Sequence, residues 1–315
     1  MLIALSGQYN SSLQTRLSEK FSTIDISTAL DTKYASEVSL LVTRGALHVD
    51  RNLLQKLPNL KKIIKAGAGL DTIDLSAAKK RGIEVVATGG STESVAELAL
   101  ALLFSCLRNI PILNDAVRRG DWGLKNDYIA SSLDSRRIGI IGFGRIGQAF
   151  SIMVRSLNAP VFAWDHSIQK ESKINIMSKF NISPCTSLIE LLQKCNVISV
   201  HLPLGKTTRS LIGLKEFSSM QHGTILINTA RAAIVEKDAL INALSNGTLD
   251  SAGLDVHYNE GGEAENESLF SLKNVVLTPH VGAQSYQSQQ AIAERILSEV
   301  TKFASIYPYP CNKKS

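Results

Sequence analysis

The sequence predicts an α/β protein built from two doubly wound parallel sheets. Short apolar runs alternate with helical patterns through all 315 residues, which is how βαβ units read in sequence. A second series of such units starts afresh at Arg137, beyond a long apolar helical stretch that opens at Thr92. A chain of this length is long for one hydrophobic core and comfortable for two.

In the N-terminal part the strand candidates are Leu2–Leu5, Ser39–Val42, Lys62–Lys65 and Glu84–Val86. Helical spacing runs through Leu53–Lys56 and Leu75–Arg81, and Gly82 sits where the second of these should stop. From 92 to 119 the pattern is one long helix with an interruption near Pro111. The later strands are Ile138–Ile141, Val161–Trp164, Val197–Val200, Thr224–Asn228, Ser251–Leu254 and Val275–Leu277. Residues 285–304 close the pattern as a helix, with Ala291, Ile292, Ile296, Leu297 and Val300 on one side. The acidic stretch NEGGEAENES, 259–268, reads as a loop, and Trp122 and Trp164 read as packing residues.

Composition narrows the function classes. The formal net charge is +6, but the cations are dispersed in pairs such as Lys61-Lys62 and Arg118-Arg119. With few aromatics and no nucleic-acid motif, this balance suits anionic small molecules and argues against nucleic acid. The four cysteines show neither Cys-x-x-Cys nor Cys/His ligand spacing, so no metal site or disulfide framework is indicated. The apolar N-terminus is too short for a secretory signal, and residues 96–107 fall short of a membrane span. A reducing, cytoplasmic setting without a membrane partner is therefore expected.

The sharpest motif is RRIGIIGFGRIGQAF, 136–150. An apolar strand runs into Gly142, Gly144 and Gly147, a helix follows, and an acid, Asp165, ends the next strand. A lone GxGxxG is weak, but strand, helix and acid in this order are the context of a dinucleotide site. Gly142 permits the tight turn, Gly144 lets backbone approach a pyrophosphate, and Gly147 lets helix and sheet pack closely. The helix N-terminus then favours the phosphates. A carboxylate at 165 can accept from both ribose hydroxyls of NAD and would repel the 2′-phosphate of NADP. His166 and Ser167 supply no arginine for that phosphate. Capping of the following helix is the other role open to Asp165.

Three more stretches follow the ends of strand candidates: NTARAAIV with Arg231, GLDVHYNEG with Glu260, and TPHVGAQS with His280. Open α/β sheets gather ligands at those ends. An arginine among alanines on a loop is ordinarily a solvated residue, and a histidine after proline is ordinarily a turn residue. Together with a carboxylate they suit hydride transfer on a 2-keto or 2-hydroxy acid. The substrate carboxylate needs a forked cation, its C2 oxygen needs a proton donor or acceptor, and the histidine needs a partner to orient it. His201, at a strand end, is a candidate lining residue.

The sequence resembles the D-2-hydroxyacid dehydrogenase family over nearly its whole length. The matching stretches are GAGLDTIDLSAAKKRGIEVV (67–86), STESVAELALALL (91–103), GIIGFGRIGQAF (139–150), HLPL (201–204), INTARAAIVEKDAL (227–240), GLDV (253–256) and TPHVGAQS (278–285). The resemblance implies a Rossmann NAD-binding domain, 99–286, inserted in a flavodoxin-like substrate domain formed by 1–98 and 287–315. It makes Arg231, Glu260 and His280 the catalytic residues. Arg145, Ile146, Asp165, His201, Leu202, Pro203, Thr229, Ala230, Asp255, Gly282 and Ala283 would lie along NAD. Ala68 and Gly69 would offer backbone N–H groups to the substrate carboxylate. Two departures stand out: Gly261 where most relatives carry proline, and His257 where many carry an aromatic.

Within the family, residues 67–97 are most similar to 3-phosphoglycerate dehydrogenases, with Lys65 where those relatives place an arginine near the substrate phosphate. Oxidation of 3-phosphoglycerate in serine biosynthesis is the activity this implies, without the C-terminal regulatory domain of longer members. A glyoxylate or hydroxypyruvate reductase is the enzymatic alternative, and an NAD(H)-sensing corepressor-like binding protein is the alternative of another class. The apolar helix 94–107 resembles the family's dimer element and implies a homodimer.

Overall fold

Residues 1–45, 47–260 and 268–307 are described by a computed structural model. Gly261, most of the acidic loop and Cys311 lie outside them. The first strands are β1 (Leu2–Ser6), β2 (Ser22–Asp25), β3 (Val38–Thr43), β4 (Lys62–Lys65) and β5 (Glu84–Ala87). They pair in the order β2-β1-β3-β4-β5, every pair parallel. This is the flavodoxin-like order. β2 has no counterpart in the sequence pattern. It lies at the sheet edge, and its four residues STID are all at least partly exposed, so it carries no apolar run.

Helices α1 (Ser11–Ser18), α2 (Ile26–Leu30), α3 (Arg51–Lys56) and α4 (Leu75–Lys80) make the crossovers. Three of them start for the same local reason. Asn10, Asp50 and Asp74 each accept, at 2.8 Å, from the backbone N–H three residues on. Each cap satisfies one of the donors a helix start leaves unpaired.

The second sheet belongs to a separate unit. It opens with α5 (Thr92–Leu107) and α6 (Ile110–Arg118). The break between them falls at Asn109, held at φ 47°, two residues before the expected interruption. Pro111 sits in the first turn of α6, where its missing N–H costs no helical bond. Then come β6 (Ile138–Ile141), α7 (Arg145–Ser156), β7 (Val161–Trp164), α8 (Glu171–Phe180), β8 (Ile182–Pro184) and α9 (Leu188–Lys194). β9 (Val197–Val200), α10 (Leu214–Ser218), β10 (Thr224–Asn228), α11 (Lys237–Ser245), β11 (Leu249–Leu254) and β12 (Val275–Leu277) complete it.

The sheet order is β12-β11-β10-β9-β6-β7-β8, again all parallel. Numbered from β6, this is the Rossmann order with one strand added, and it reverses direction between β6 and β9. Strands β6, β9 and β10 are buried on both faces, as parallel sheets covered by helices must be. Trp164 packs here at 8% exposure, whereas Trp122 is 64% exposed and takes no place in the core of its own chain.

The last helix, α12 (Tyr286–Ile306), packs on the first sheet. Ile292, Ile296, Val300 and Phe303 bury against Ile3, Leu40, Val42 and Ile64. Residues 1–91 and 283–315 therefore form one unit, and 92–282 the other, so the second is inserted in the first. The division falls a few residues before the expected junctions because α5 stays whole with the sheet it covers. Among the described residues no single helix is long and apolar enough to cross a membrane.

Candidate active site

The crevice between the ends of β6 and β9 is shaped by missing side chains. Gly142 stands at φ 98°, and a Cβ there would lie 2.8 Å from the His201 carbonyl group. A Cβ on Gly147 would collide with the Gly142 carbonyl oxygen. A Cβ on Gly144 would meet nothing within 4 Å. Two glycines thus permit close packing, while the third leaves an open cradle. Gly144 is also the N-cap of α7 and offers no side-chain cap, so the first N–H groups of that helix, with Arg145 and Ile146 beside them, are open to a ligand. His201 donates its backbone N–H to the Ile141 carbonyl at 2.8 Å, which joins the two loops.

Two buried polar atoms near these strand ends have no protein partner: His201 Nδ1 and Thr229 Oγ1. The other His201 nitrogen lies 2.8 Å from Ser199 Oγ, and burial pushes the imidazole pKa down to about 3, so it stays neutral. Leu202 is buried under the glycine turn, and the Pro203 carbonyl accepts from Thr208 at 2.7 Å. The Ala230 N–H is fixed by Asn228 Oδ1 at 3.0 Å, and Asn228 Nδ2 reaches the Arg231 carbonyl at 3.0 Å. Asn228 holds the loop that carries Arg231. Sequence reading passes over it because an Asn at a strand end has no pattern of its own. An open cradle, an uncapped helix start and orphaned buried polar atoms fit a dinucleotide.

Asp165 does not cap a helix, since α8 starts from Lys170. One of its oxygens accepts from the Phe143 N–H at 3.0 Å, inside the glycine turn. The other accepts from the Ser167 N–H and hydroxyl, both at 2.8 Å, and pairs with Lys173 Nζ at 2.6 Å. Burial alone would raise this carboxyl, but the Lys173 and Ser167 donors outweigh it and hold the pKa at about 2. Lys173 is a residue that sequence reading misses, because it lies on the next helix rather than beside the acid.

Further along the same sheet, His280 Nδ1 lies 2.8 Å from Glu260 Oε1, with both side chains partly open to solvent. The hydrogen bond to Glu260 raises the histidine's pKa, against opposition from burial and from the positive charge of Arg231. The glutamate, which burial would push up, is drawn below its ordinary range by the same contact. Arg231 donates to the Ala230 carbonyl at 2.7 Å. The three expected catalytic side chains thus come together electrostatically at the ends of β10, β11 and β12.

Asp255 is 1% exposed, and its carboxylate accepts from Thr278 Oγ1 at 2.6 Å, the Val281 N–H at 2.8 Å and the Gly282 N–H at 2.9 Å. These bonds bracket His280, which stands at φ 54°. Asp255 therefore shapes the turn that presents the histidine. His257 Nε2 bonds the Thr278 carbonyl at 2.8 Å and its ring meets Phe270 edge-on, so this histidine also braces that turn.

In the other unit, Lys65 is 6% exposed, and its ammonium donates to the Gly45 carbonyl at 2.8 Å and the Thr72 hydroxyl at 3.0 Å. Ala68 and Gly69 follow on the loop after β4, with Ala68 exposed. The Ala283 carbonyl accepts from Gln289 at 2.7 Å at the start of α12. Among the described residues no group of three or more His, Cys, Asp or Glu could hold a metal ion.

Comparison with known proteins agrees with this architecture. Residues 100–282 match the family described as "D-isomer specific 2-hydroxyacid dehydrogenase, NAD binding domain". The chain is 37% identical over 275 residues to a glyoxylate reductase of Thermococcus litoralis, covering 85% of this chain and 81% of that protein. It is 36% identical over 269 residues to a D-3-phosphoglycerate dehydrogenase of Archaeoglobus fulgidus, covering 85% of this chain but 50% of that longer protein. Its fold matches that of a D-lactate dehydrogenase from Aquifex aeolicus, complexed with NAD and lactic acid. There the TM-score is 0.84 and the identity 26%, over 96% of this chain and 95% of the other. With the glycine cradle and the two parallel sheets already in place, the chain belongs to the D-isomer-specific 2-hydroxyacid dehydrogenases, NAD-binding oxidoreductases of 2-hydroxy acids.

Proposed function

We propose that the protein reduces a small, unphosphorylated 2-keto acid such as glyoxylate or hydroxypyruvate to its D-2-hydroxy acid, with His280 as general acid. The observation that carries the chemistry is the 2.8 Å contact between His280 and Glu260 in the field of Arg231. Bound NADH supplies the hydride. His280, whose protonated form Glu260 favours, gives its proton to the C2 oxygen, while Arg231 clamps the carboxylate and polarises the carbonyl. Acid–base help of this kind is worth about 10²–10⁴-fold in rate. His201 stays neutral and lines the crevice.

The substrate class follows from Lys65. A phosphorylated substrate needs a cation that can turn to it, and this ammonium is buried and already bonded to Gly45 and Thr72. 3-Phosphoglycerate oxidation in serine biosynthesis is the second reading, supported by the 36% identity to a phosphoglycerate dehydrogenase. Comparing kcat/KM for hydroxypyruvate and phosphohydroxypyruvate, which differ by the phosphate alone, tests the choice. We expect hydroxypyruvate to be equal or better, and Lys65→Ala to alter both alike. A preference for the phosphorylated acid that Lys65→Ala erodes selectively would reverse the assignment. Absence of turnover with any 2-keto acid, with NADH still bound, would favour the corepressor-like alternative.

A homodimer and a cytoplasmic setting complete the proposal. Support for the first is a run of exposed apolar residues on and after α6: Ile110, Ile112, Val117, Trp122, Leu124 and Ile129. The apolar face of α5, by contrast, is spent inside its own unit through Ala99, Leu102, Leu103 and Cys106. Three buried free cysteines, Cys106, Cys185 and Cys195, suit a reducing compartment.

A further inference from the structure

The acid that should receive the ribose of the cofactor is nearly saturated before any ribose arrives. A carboxylate offers about four lone-pair sites, two on each oxygen. Asp165 Oδ1 already meets three donors: the Ser167 N–H, the Ser167 hydroxyl and Lys173 Nζ. Oδ2 is engaged by the Phe143 N–H. One acceptor site is left for a vicinal diol that brings two O–H donors. Both hydroxyls can bond Asp165 only if a donor withdraws. The Ser167 N–H is fixed in the backbone, whereas Lys173, held at this one carboxylate and less deeply buried than Lys65, can turn on its side chain.

Lys173 lies in the first turn of α8, with its side chain 14% exposed against 13% for Asp165. This shielding keeps the charge pair from being screened as a surface pair would be. The ammonium therefore cancels the local repulsion that a lone carboxylate would direct at a 2′-phosphate. It also occupies Oδ1, one of the two oxygens to which a ribose diol would donate.

We infer that Lys173 is a specificity-determining residue of the dinucleotide crevice: it admits NADPH by pairing with the 2′-phosphate and weakens the hold of Asp165 on NADH. The inference rests on the dinucleotide reading of the crevice, and it adds a cation from the next helix to the sequence reading, which found no arginine at 166 or 167. The chain takes NADH with Asp165 accepting one strong ribose bond, and takes NADPH when the ammonium bridges the carboxylate and the phosphate.

Equilibrium titration of the full-length protein with NADH and with NADPH, followed by cofactor fluorescence and without substrate, provides the test. Lys173→Gln should weaken NADPH roughly tenfold, the order expected for losing one charge-assisted contact, and should tighten NADH. Lys173→Arg should keep NADPH binding. Carboxyl carbon shifts should show Asp165 titrating higher in Lys173→Gln than in the parent. An unchanged ratio of NADPH to NADH affinity in a Lys173→Gln protein that still binds NADH would overturn the role of Lys173. Failure of the parent to bind either dinucleotide would instead overturn the reading of the crevice on which it depends. Lys173→Met supplies the same comparison with the side-chain length kept.

Discussion

His280 occupies backbone space that a side chain with a Cβ rarely adopts, at φ 54°. Such a conformation costs on the order of 1 kcal/mol and persists where surrounding bonds over-determine it. Here the three bonds of the buried Asp255 carboxylate do so. Glu260 then sets the histidine's charge. Because that contact raises the His280 pKa, the acid form survives to higher pH than a free imidazole allows. Reduction consumes that proton, so its rate should be full at low pH and fall as pH rises through the raised value. In Glu260→Gln the fall should begin at lower pH, while oxidation, which needs neutral imidazole, should gain at the lower pH. pH profiles of kcat/KM in both directions check this, and superimposable profiles for parent and variant would remove Glu260 from that role. The grouping of Arg231, Glu260 and His280 is legible in the sequence because each follows an apolar run that reads as a strand. Lys173 and Asn228 are not, since their partners are set by tertiary packing rather than by neighbours in the chain.

At the scale of single elements, α12 is fixed to its sheet by more than apolar burial. Lys62, on β4, is 4% exposed and pairs with Glu299 of α12 at 2.8 Å and with Glu84 of β5 at 3.1 Å. Arg295 and Lys302 stand around Glu299 at 3.7 and 3.2 Å. The Lys62 bond draws the Glu299 pKa below its ordinary value, against burial. The stability this contributes is therefore complete at neutral pH and is lost as pH falls through the lowered value. Lys62→Met should cost about 3 kcal/mol, the lower end for breaking a buried pair, because the rim is open to water. Lys62→Met with Glu299→Leu should recover most of it. Urea unfolding measures both, and a double variant as weak as the single one would count against the pairing. Elements with a dense apolar run are legible from the amino-acid pattern alone. The edge strands β2 and β8 are not, for the physical reason that a strand bonded on one side needs little apolar surface. The helix break is displaced from its expected position for a related reason: proline is harmless in a first turn, and Asn109 turns the chain instead.

For the whole molecule, the two-sheet architecture is readable from the restart of βαβ units at Arg137, and the return of α12 to the first sheet from its apolar face alone. Assembly is less legible. A helix apolar over most of its surface suggests a partner, and instead it covers β10 and β11 of its own chain; the exposed apolar residues come after it. Light scattering should give twice the 34.2 kDa chain mass. Trp122→Asp with Ile129→Asp should move the protein toward the single-chain mass, because a buried charge without a partner is costly at an interface. A parent that scatters as one chain would exclude the homodimer.

The placement of β12 has one further consequence. It is the last strand of the second sheet, three residues long and bonded on one side only, and every residue in it retains some exposure. The glycine cradle follows β6, which is flanked on both sides and fully buried. Local opening of a protein begins where few neighbours must be given up. The margin that carries the proposed proton donor is therefore expected to open at lower free-energy cost than the centre that carries the glycine cradle. Warming or mild denaturant should populate molecules that remain loaded with cofactor yet turn nothing over. Hydrogen exchange that opens β12 at lower denaturant than β6 would show this order of opening, and simultaneous exchange of the two would refute it.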